Sequence, residues 1–113
     1  MEYLTDATFL VDLWRERARG GGAMRFVTGH ERDTFSVPWV AKAEFLRGAV
    51  YAGTDEARVN SFLGTFRTVF PTEETLSVYA RLYSFLRRSN KLIGPHDLWI
   101  AACALEIDLP LLS

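Results

Sequence analysis

Four short β-prone segments, Tyr3–Thr5, Thr34–Val37, Thr68–Phe70 and Leu109–Leu112, alternate along this chain with stretches whose apolar residues recur at helical spacing. From Thr8 onward Phe9, Leu10, Leu13 and Trp14 share one face, Arg17 to Arg19 close the helix and Gly20-Gly21-Gly22 breaks it. Ala23 to Thr28 reads as a short second helix. Pro38, tolerated in a first helical turn, opens a helix to about Ala52 with Ser36 as its candidate cap, and a further helix spans roughly Asp55 to Arg67. Thr72 before Glu73 and Glu74 places a capping hydroxyl ahead of acids. The stripe Leu76, Tyr79, Ala80, Tyr83 and Leu86 follows, up to Arg87-Arg88. The loop Asn90 to Pro95 leads into a helix from His96 to about Glu106; the eight residues after Asp97 are all apolar, so this helix is expected to be buried. Leu109 to Leu112 reads as a strand with apolar residues on both faces. Such alternation specifies a three-layer α/β domain: a short, mostly parallel sheet with helices on both sides.

At 113 residues the chain has room for one domain, and no internal repeat or linker divides it. An apolar fraction of 49% with well-spread charge excludes general disorder. The longest apolar run, Leu98 to Leu105, is too short to cross a bilayer. The opening Met1-Glu2-Tyr3-Leu4-Thr5-Asp6 lacks a basic-then-apolar export signal, which points to the cytoplasm. A single cysteine, Cys103, rules out an internal disulfide and a Cys–His zinc site and reads as a small buried hydrophobe in a reducing compartment. A net charge of −1 gives no global footprint for nucleic acid. Of 13 basic residues, however, only Lys42 and Lys91 are lysines, and arginine is the better bidentate phosphate donor. High-GC coding produces the same bias. Arg15, Arg19, Arg47, Arg87 and Arg88 are candidate phosphate contacts, with Arg47, one turn from Glu44, preferred; solvated helix faces explain them nearly as well.

Three acids fall at informative places. Asp6 ends the first strand, and ligands in open α/β sheets bind at that edge. Glu44 lies mid-helix among Val40, Ala41, Gly48 and Tyr51, small neighbours that leave room beside its carboxylate. Asp97 heads the apolar last helix. Gathered at one point, three unpaired carboxylates repel, and an all-oxygen cluster of this kind suits Mg²⁺ or Mn²⁺, not zinc. Each acid also has a purely structural explanation. Asp6 can cap the helix that follows, Glu44 can pair with Arg47 at i+3, and Asp97 can favour the positive end of its own helix.

The segment Tyr3 to Leu13, a short strand, an Asp, a hydroxyl residue two positions on and then an apolar helix, resembles the opening of PIN domains. Val40-Ala41-Lys42-Ala43-Glu44-Phe45-Leu46-Arg47-Gly48-Ala49 is similar to the second motif of that family, and His96-Asp97-Leu98-Trp99-Ile100-Ala101-Ala102 to the third. Leu109-Pro110-Leu111-Leu112-Ser113 is similar to the strand that follows. The four segments agree in order and spacing over the whole chain. The resemblance implies a VapC-like endoribonuclease toxin using Mg²⁺ or Mn²⁺, with Asp6, Glu44 and Asp97 as metal-binding and catalytic acids. Thr8 would be an assisting hydroxyl and Ser113 its neighbour at the sheet edge, with Arg47 and Arg15 on RNA. It also implies a cognate antitoxin as inhibitor, a homodimer, and structured RNA such as tRNA or rRNA as substrate. The chain departs from the family pattern in two ways. Asp6-Ala7-Thr8 replaces the commoner Asp-Thr-Asn or Asp-Thr-Ser. The Asn, fourth acid and final strand that follow in relatives would begin where Ser113 stands. A member lacking them would be a catalytically inactive interaction module, the alternative to the nuclease.

The remaining conspicuous residues read as structural. His96 is expected as a free loop histidine and His30 as a polar-loop residue without chemistry. Trp14, Trp39 and Trp99 are expected in core or dimer packing rather than base stacking. Asp12 is expected to be exposed. Gly20 to Gly22 is no phosphate loop, because it follows a helix and not a strand.

Overall fold

The computed structural model describes all residues, Met1–Ser113. Its elements run β1 (Glu2–Thr5), α1 (Ala7–Glu16), α2 (Gly22–Gly29), β2 (Thr34–Pro38), α3 (Trp39–Tyr51), α4 (Glu56–Leu63), β3 (Arg67–Val69), α5 (Glu73–Arg88), α6 (Pro95–Ile107) and β4 (Leu111–Leu112). The strands form one parallel sheet in the order β3-β2-β1-β4, with Leu4 opposite Ser36 on one side and Leu111 on the other. Steps from β1 to β2 to β3 run one way across the sheet, and the return to β4 runs the other. Because parallel crossovers are right-handed, α1 to α4 cover one face and α5 with α6 the other, as the three-layer expectation requires. The crossovers diverge between β1 and β4, which makes the carboxyl ends of these two strands the switch point of the sheet.

The continuous core lies on the first face. Phe9, Leu10 and Leu13 of α1 meet Val40, Ala41 and Phe45 of α3, Val59 and Leu63 of α4, Phe66, Val37 of β2 and Ile100 of α6. A wholly buried leucine such as Leu10 or Leu63 contributes about 2 kcal/mol from removal of apolar surface alone. Trp14 packs edge-on against Phe45 and Phe62 and flanks this core. The glycine break between α1 and α2 has a positional reason. Gly20 takes φ +77°, and a Cβ on Gly21 would run into the Glu16 carboxylate, which reaches across to accept from the Met24 N–H in the first turn of α2.

Several local expectations are corrected. Ser36 caps nothing: it is still in β2, where its hydroxyl donates to Glu2 Oε1 at 3.0 Å, and α3 starts without a side-chain cap. The α4 helix stops at Leu63 rather than Arg67, because Phe66 turns into the core and Arg67 joins the sheet. Strand β4 is short and half-exposed rather than buried on both faces, because it lies at the sheet edge. Leu105 is 62% exposed, so α6 is not buried throughout. Asp12 is half-buried, not exposed, beside Phe26 and Leu112. Cys103 is buried as expected, and desolvation, reinforced by Glu106, raises its thiol pKa, keeping it neutral and inert.

Candidate active site

The carboxyl edge of β1 passes directly into Asp6, whose φ and ψ are extended and whose Oδ1 accepts from the Phe9 N–H at 2.9 Å. Asp6 thus caps α1, as its structural explanation requires. Its second oxygen is engaged elsewhere: Ser113 Oγ, just past β4, donates to Oδ2 at 2.6 Å. The backbone N–H of Asp6 also donates to Leu112 O at 3.0 Å. The switch point therefore holds one carboxylate between two strand ends, with Ser113, expected beside Thr8, hydrogen-bonded to Asp6.

Glu44 is half-buried on α3 and does not pair with Arg47. It faces His96, whose Nδ1 lies 3.6 Å from Glu44 Oε1. His96 is accordingly no free loop residue: Pro95 starts α6 and puts His96 on its first turn, pointing at α3. The adjacent Asp97 is exposed in that same turn, at the positive end of the helix dipole. Glu44 borders two cavities. One, of about 420 Å³, is shared with Ala7, the residue after Asp6, and with Arg15 and Arg47. The other, of about 190 Å³, is shared with Trp39 and with His96, the residue before Asp97. Glu44 is thus the middle member of the set, flanked by the chain neighbours of the other two acids. Thr8 is exposed on the first turn of α1 and forms no side-chain hydrogen bond. Arg15 and Arg47 come to one cavity, whereas Arg87 is turned back onto Tyr83 Oη at 2.7 Å.

The expected convergence of three carboxylates on one point is absent. No group of three or more His, Cys, Asp or Glu side chains stands close enough to hold a metal ion. Asp6 is hydrogen-bonded to Ser113, Glu44 has His96 at 3.6 Å, and Asp97 is exposed. The donor set still suits a hard cation in kind, since all three acids offer oxygen and none has a Lys or Arg partner. Two buried polar atoms lack hydrogen-bond partners, Thr5 Oγ1 and Trp39 Nε1, and both flank this site.

The role of His96 was within reach of the sequence, because Pro95 at the head of an apolar helix predicts that His96 joins the first turn. The pairing with Glu44 was not, since it depends on how α6 meets α3.

Comparison with known proteins bears on what this site is. The chain is 28% identical over 111 residues to Ribonuclease VapC1 of Methanocaldococcus jannaschii, covering 96% of this chain and 71% of that protein. Its fold superposes on VapBC-1 from nontypeable Haemophilus influenzae with a TM-score of 0.80 at 21% identity, covering 100% of this chain and 86% of the other. VapBC2 from Rickettsia felis, solved bound to a DNA fragment from its promoter, gives 0.83 at 19% identity over 100% and 87%. FitAcB from Neisseria gonorrhoeae gives 0.71 at 22% identity over 98% and 85%. The family model for the PIN domain matches residues 3–113, a span running from β1 to Ser113 that takes in Asp6, Glu44 and Asp97, and the chain therefore belongs to the PIN domain family.

Proposed function

We propose that this protein is a Mg²⁺- or Mn²⁺-dependent endoribonuclease of the toxin type, working in the cytoplasm and silenced by an antitoxin. The observation that carries the proposal is the position of Glu44. It stands between the switch point that holds Asp6 and the helix head that bears Asp97, in a cavity shared with two arginines. The likeness to a ribonuclease gives the reaction class its support. In this reading Asp6, Glu44 and Asp97 hold the cation, with Ser113 and the Phe9 N–H fixing the orientation of Asp6 and Thr8 assisting at the rim. When bound, the cation supplies a water of lowered pKa and neutralises charge developing on the phosphate. Arg15 and Arg47 grip phosphates on either side of the scissile bond.

An antitoxin, a second copy of the chain, or both would find a ready surface. Leu76, Phe85, Phe70 and Leu105 are exposed apolar side chains that such a partner could cover. Titration of Mn²⁺ by calorimetry, with cleavage of tRNA and rRNA assayed in parallel, tests the proposal on the wild type and on Asp97→Asn. Carboxylate-dependent binding with cleavage reduced about 100-fold or more in the variant is the expected result. Neither binding nor cleavage in the wild type would favour a second reading, an inactive PIN-domain interaction module, for which the ungathered acids speak.

A further inference from the structure

Between Leu13 and His30 the chain carries four arginines, Arg15, Arg17, Arg19 and Arg25, and one acid, Glu16, although its net charge is −1. All four arginines are exposed, and none has a carboxylate partner. Elsewhere such groups are engaged: Arg67 meets Glu2, Arg81 meets Glu74, and Arg87 donates to Tyr83 Oη. Here the one nearby carboxylate turns inward, because Glu16 accepts from the Met24 N–H. The turn Gly20-Gly21-Gly22 folds α2 back onto α1, and Arg25 Nη2 lies 3.8 Å from where a Cβ on Gly22 would stand. The Arg25 guanidinium therefore rests at the same turn that Arg19 enters. Its place near the positive end of α2 is unfavourable for that helix, so helix stability does not explain it. Arg17 Cζ stands 3.3 Å from the centre of the Trp14 ring, and Arg17 donates to Trp14 O at 3.0 Å. Trp14 in turn lines the cavity beside Glu44, together with Arg15. The four cations thus form a track that leaves the candidate site along α1.

We propose that the turn between α1 and α2, with Arg17, Arg19 and Arg25, is a second RNA contact outside the candidate site, which holds the phosphate backbone of a folded RNA while another part of the same molecule lies at Glu44. The inference rests on the nuclease reading and adds to it a requirement on the length of the RNA. A guanidinium fork binds two phosphate oxygens at once, and arginines without a carboxylate partner give up no ion pair to do so. Like charges set side by side repel, and phosphates arriving in a row relieve that repulsion while releasing their own counterions. Helix geometry sets the reach. At about 1.5 Å per residue, the 10 residues of α1 carry the chain about 15 Å from Asp6 to Arg17. Four stacked nucleotides, at about 3.4 Å per step, span about 10 Å and do not touch both ends. A tRNA-sized RNA does. A protein partner or a lipid surface is a poorer occupant, because each draws on apolar contact and no large apolar side chain is exposed between Leu13 and His30.

The test uses the full chain with two probes, a tRNA transcript and a tetranucleotide, titrated in EDTA over a range of salt so that binding is read without cleavage. The variant Arg17→Gln/Arg19→Gln/Arg25→Gln should bind the transcript about tenfold or more weakly. Its plot of log affinity against log salt should be shallower by about 2 to 3, at roughly 0.7 to 0.9 per lost phosphate contact. Its affinity for the tetranucleotide should match that of the wild type. A control, Arg32→Gln/Arg58→Gln/Arg81→Gln, removes the same charge from other exposed positions and should leave transcript binding within about twofold. Arg19→Gln/Arg25→Gln spares the stacking of Arg17 on Trp14 and should lose about two-thirds as much slope, so the result does not hinge on that contact. A turn variant that loses no more affinity or slope than the control would overturn the proposal and leave these arginines to solvent or to an acidic protein. Cleavage with Mn²⁺ separates the proposal from the nuclease reading. The turn variant should raise KM for the transcript and leave kcat unchanged. A wild type that binds through the turn yet never cuts supports the second contact and sinks the nuclease. Cutting of the transcript with kcat/KM unchanged in the turn variant does the reverse.

Discussion

On one face of the sheet, α1, α3 and α4 bury eight side chains between them in a core that also takes in Val37, Phe66 and Ile100. On the other, the 16-residue α5 buries only Thr75, and Leu76 and Phe85 of the same helix are 45% and 66% exposed. Phe70, Leu92 and Leu105 extend that exposed apolar surface. On this face the burial comes from α6, with Leu98, Ala102 and Cys103, and an aromatic ladder ties the helices together: Tyr79 stacks on Trp99 at 3.8 Å, and Trp99 meets Trp39 edge-on at 5.8 Å, linking α5 to α6 and α6 to α3. A Cα radius of gyration of 14.9 Å, against about 13 Å for a chain of this length, agrees with a structure that is tight on one side and open on the other. The contrast teaches that the candidate site is mounted on the rigid face through Asp6 and Glu44, while Asp97 and His96 come from the loosely covered one. Any partner that covers α5 and α6 acts on half of the site's residues.

The sharpest way to break this comparison is the same chemical change on both faces. Leu10→Ala should destabilise the protein by about 3 to 5 kcal/mol in urea denaturation, because it opens a cavity in the closed core. Leu76→Ala should change stability by no more than about 0.5 kcal/mol, and similar losses at the two positions would show that the faces are equally packed. A middle effect sits at the start of α5, where Thr72 Oγ1 accepts from the Thr75 N–H and Thr75 Oγ1 accepts from the Thr72 N–H. Thr72→Ala should cost about 1 kcal/mol, and hydrogen exchange should place the loss in α5 rather than in α1. The smallest effect is expected from Phe85→Ser. Its melting temperature should stay within about 2 °C of wild type. Sedimentation, by contrast, should register weaker self-association if the open face pairs two copies.

How far the molecule was legible in its sequence follows the same division. All four strands and six helices were readable from short apolar segments alternating with helical stripes, and Asp6 was readable as a strand-end acid because the period changes there. The stripe on α5 was readable too, but periodicity reports that a face is apolar and says nothing of what covers it, and Leu76 lies exposed. The apolar tail of α6 misled for the same reason. A hydroxyl before a proline-started helix fits a capping role, but the true partner of Ser36, Glu2, lies on the next strand and is invisible locally. The engagement of Glu44 by His96, and of Asp6 by Ser113, depends on tertiary placement that no window of sequence contains.

The hydrogen bond from Ser113 to Asp6 has a further consequence, for the order in which the molecule assembles. It joins positions 107 residues apart, whereas Ser36, which reaches Glu2, is only 34 away. Closing the longer loop costs about 1 kcal/mol more in chain entropy, and the four residues of β1 offer little to offset it. Pairing of β1 with β2 and the collapse of α1 onto α3 are therefore expected to come first, with β4 docking onto a half already folded. The acid at the switch point receives its second partner in that last step, so a folding intermediate would carry a finished core and an unfinished site.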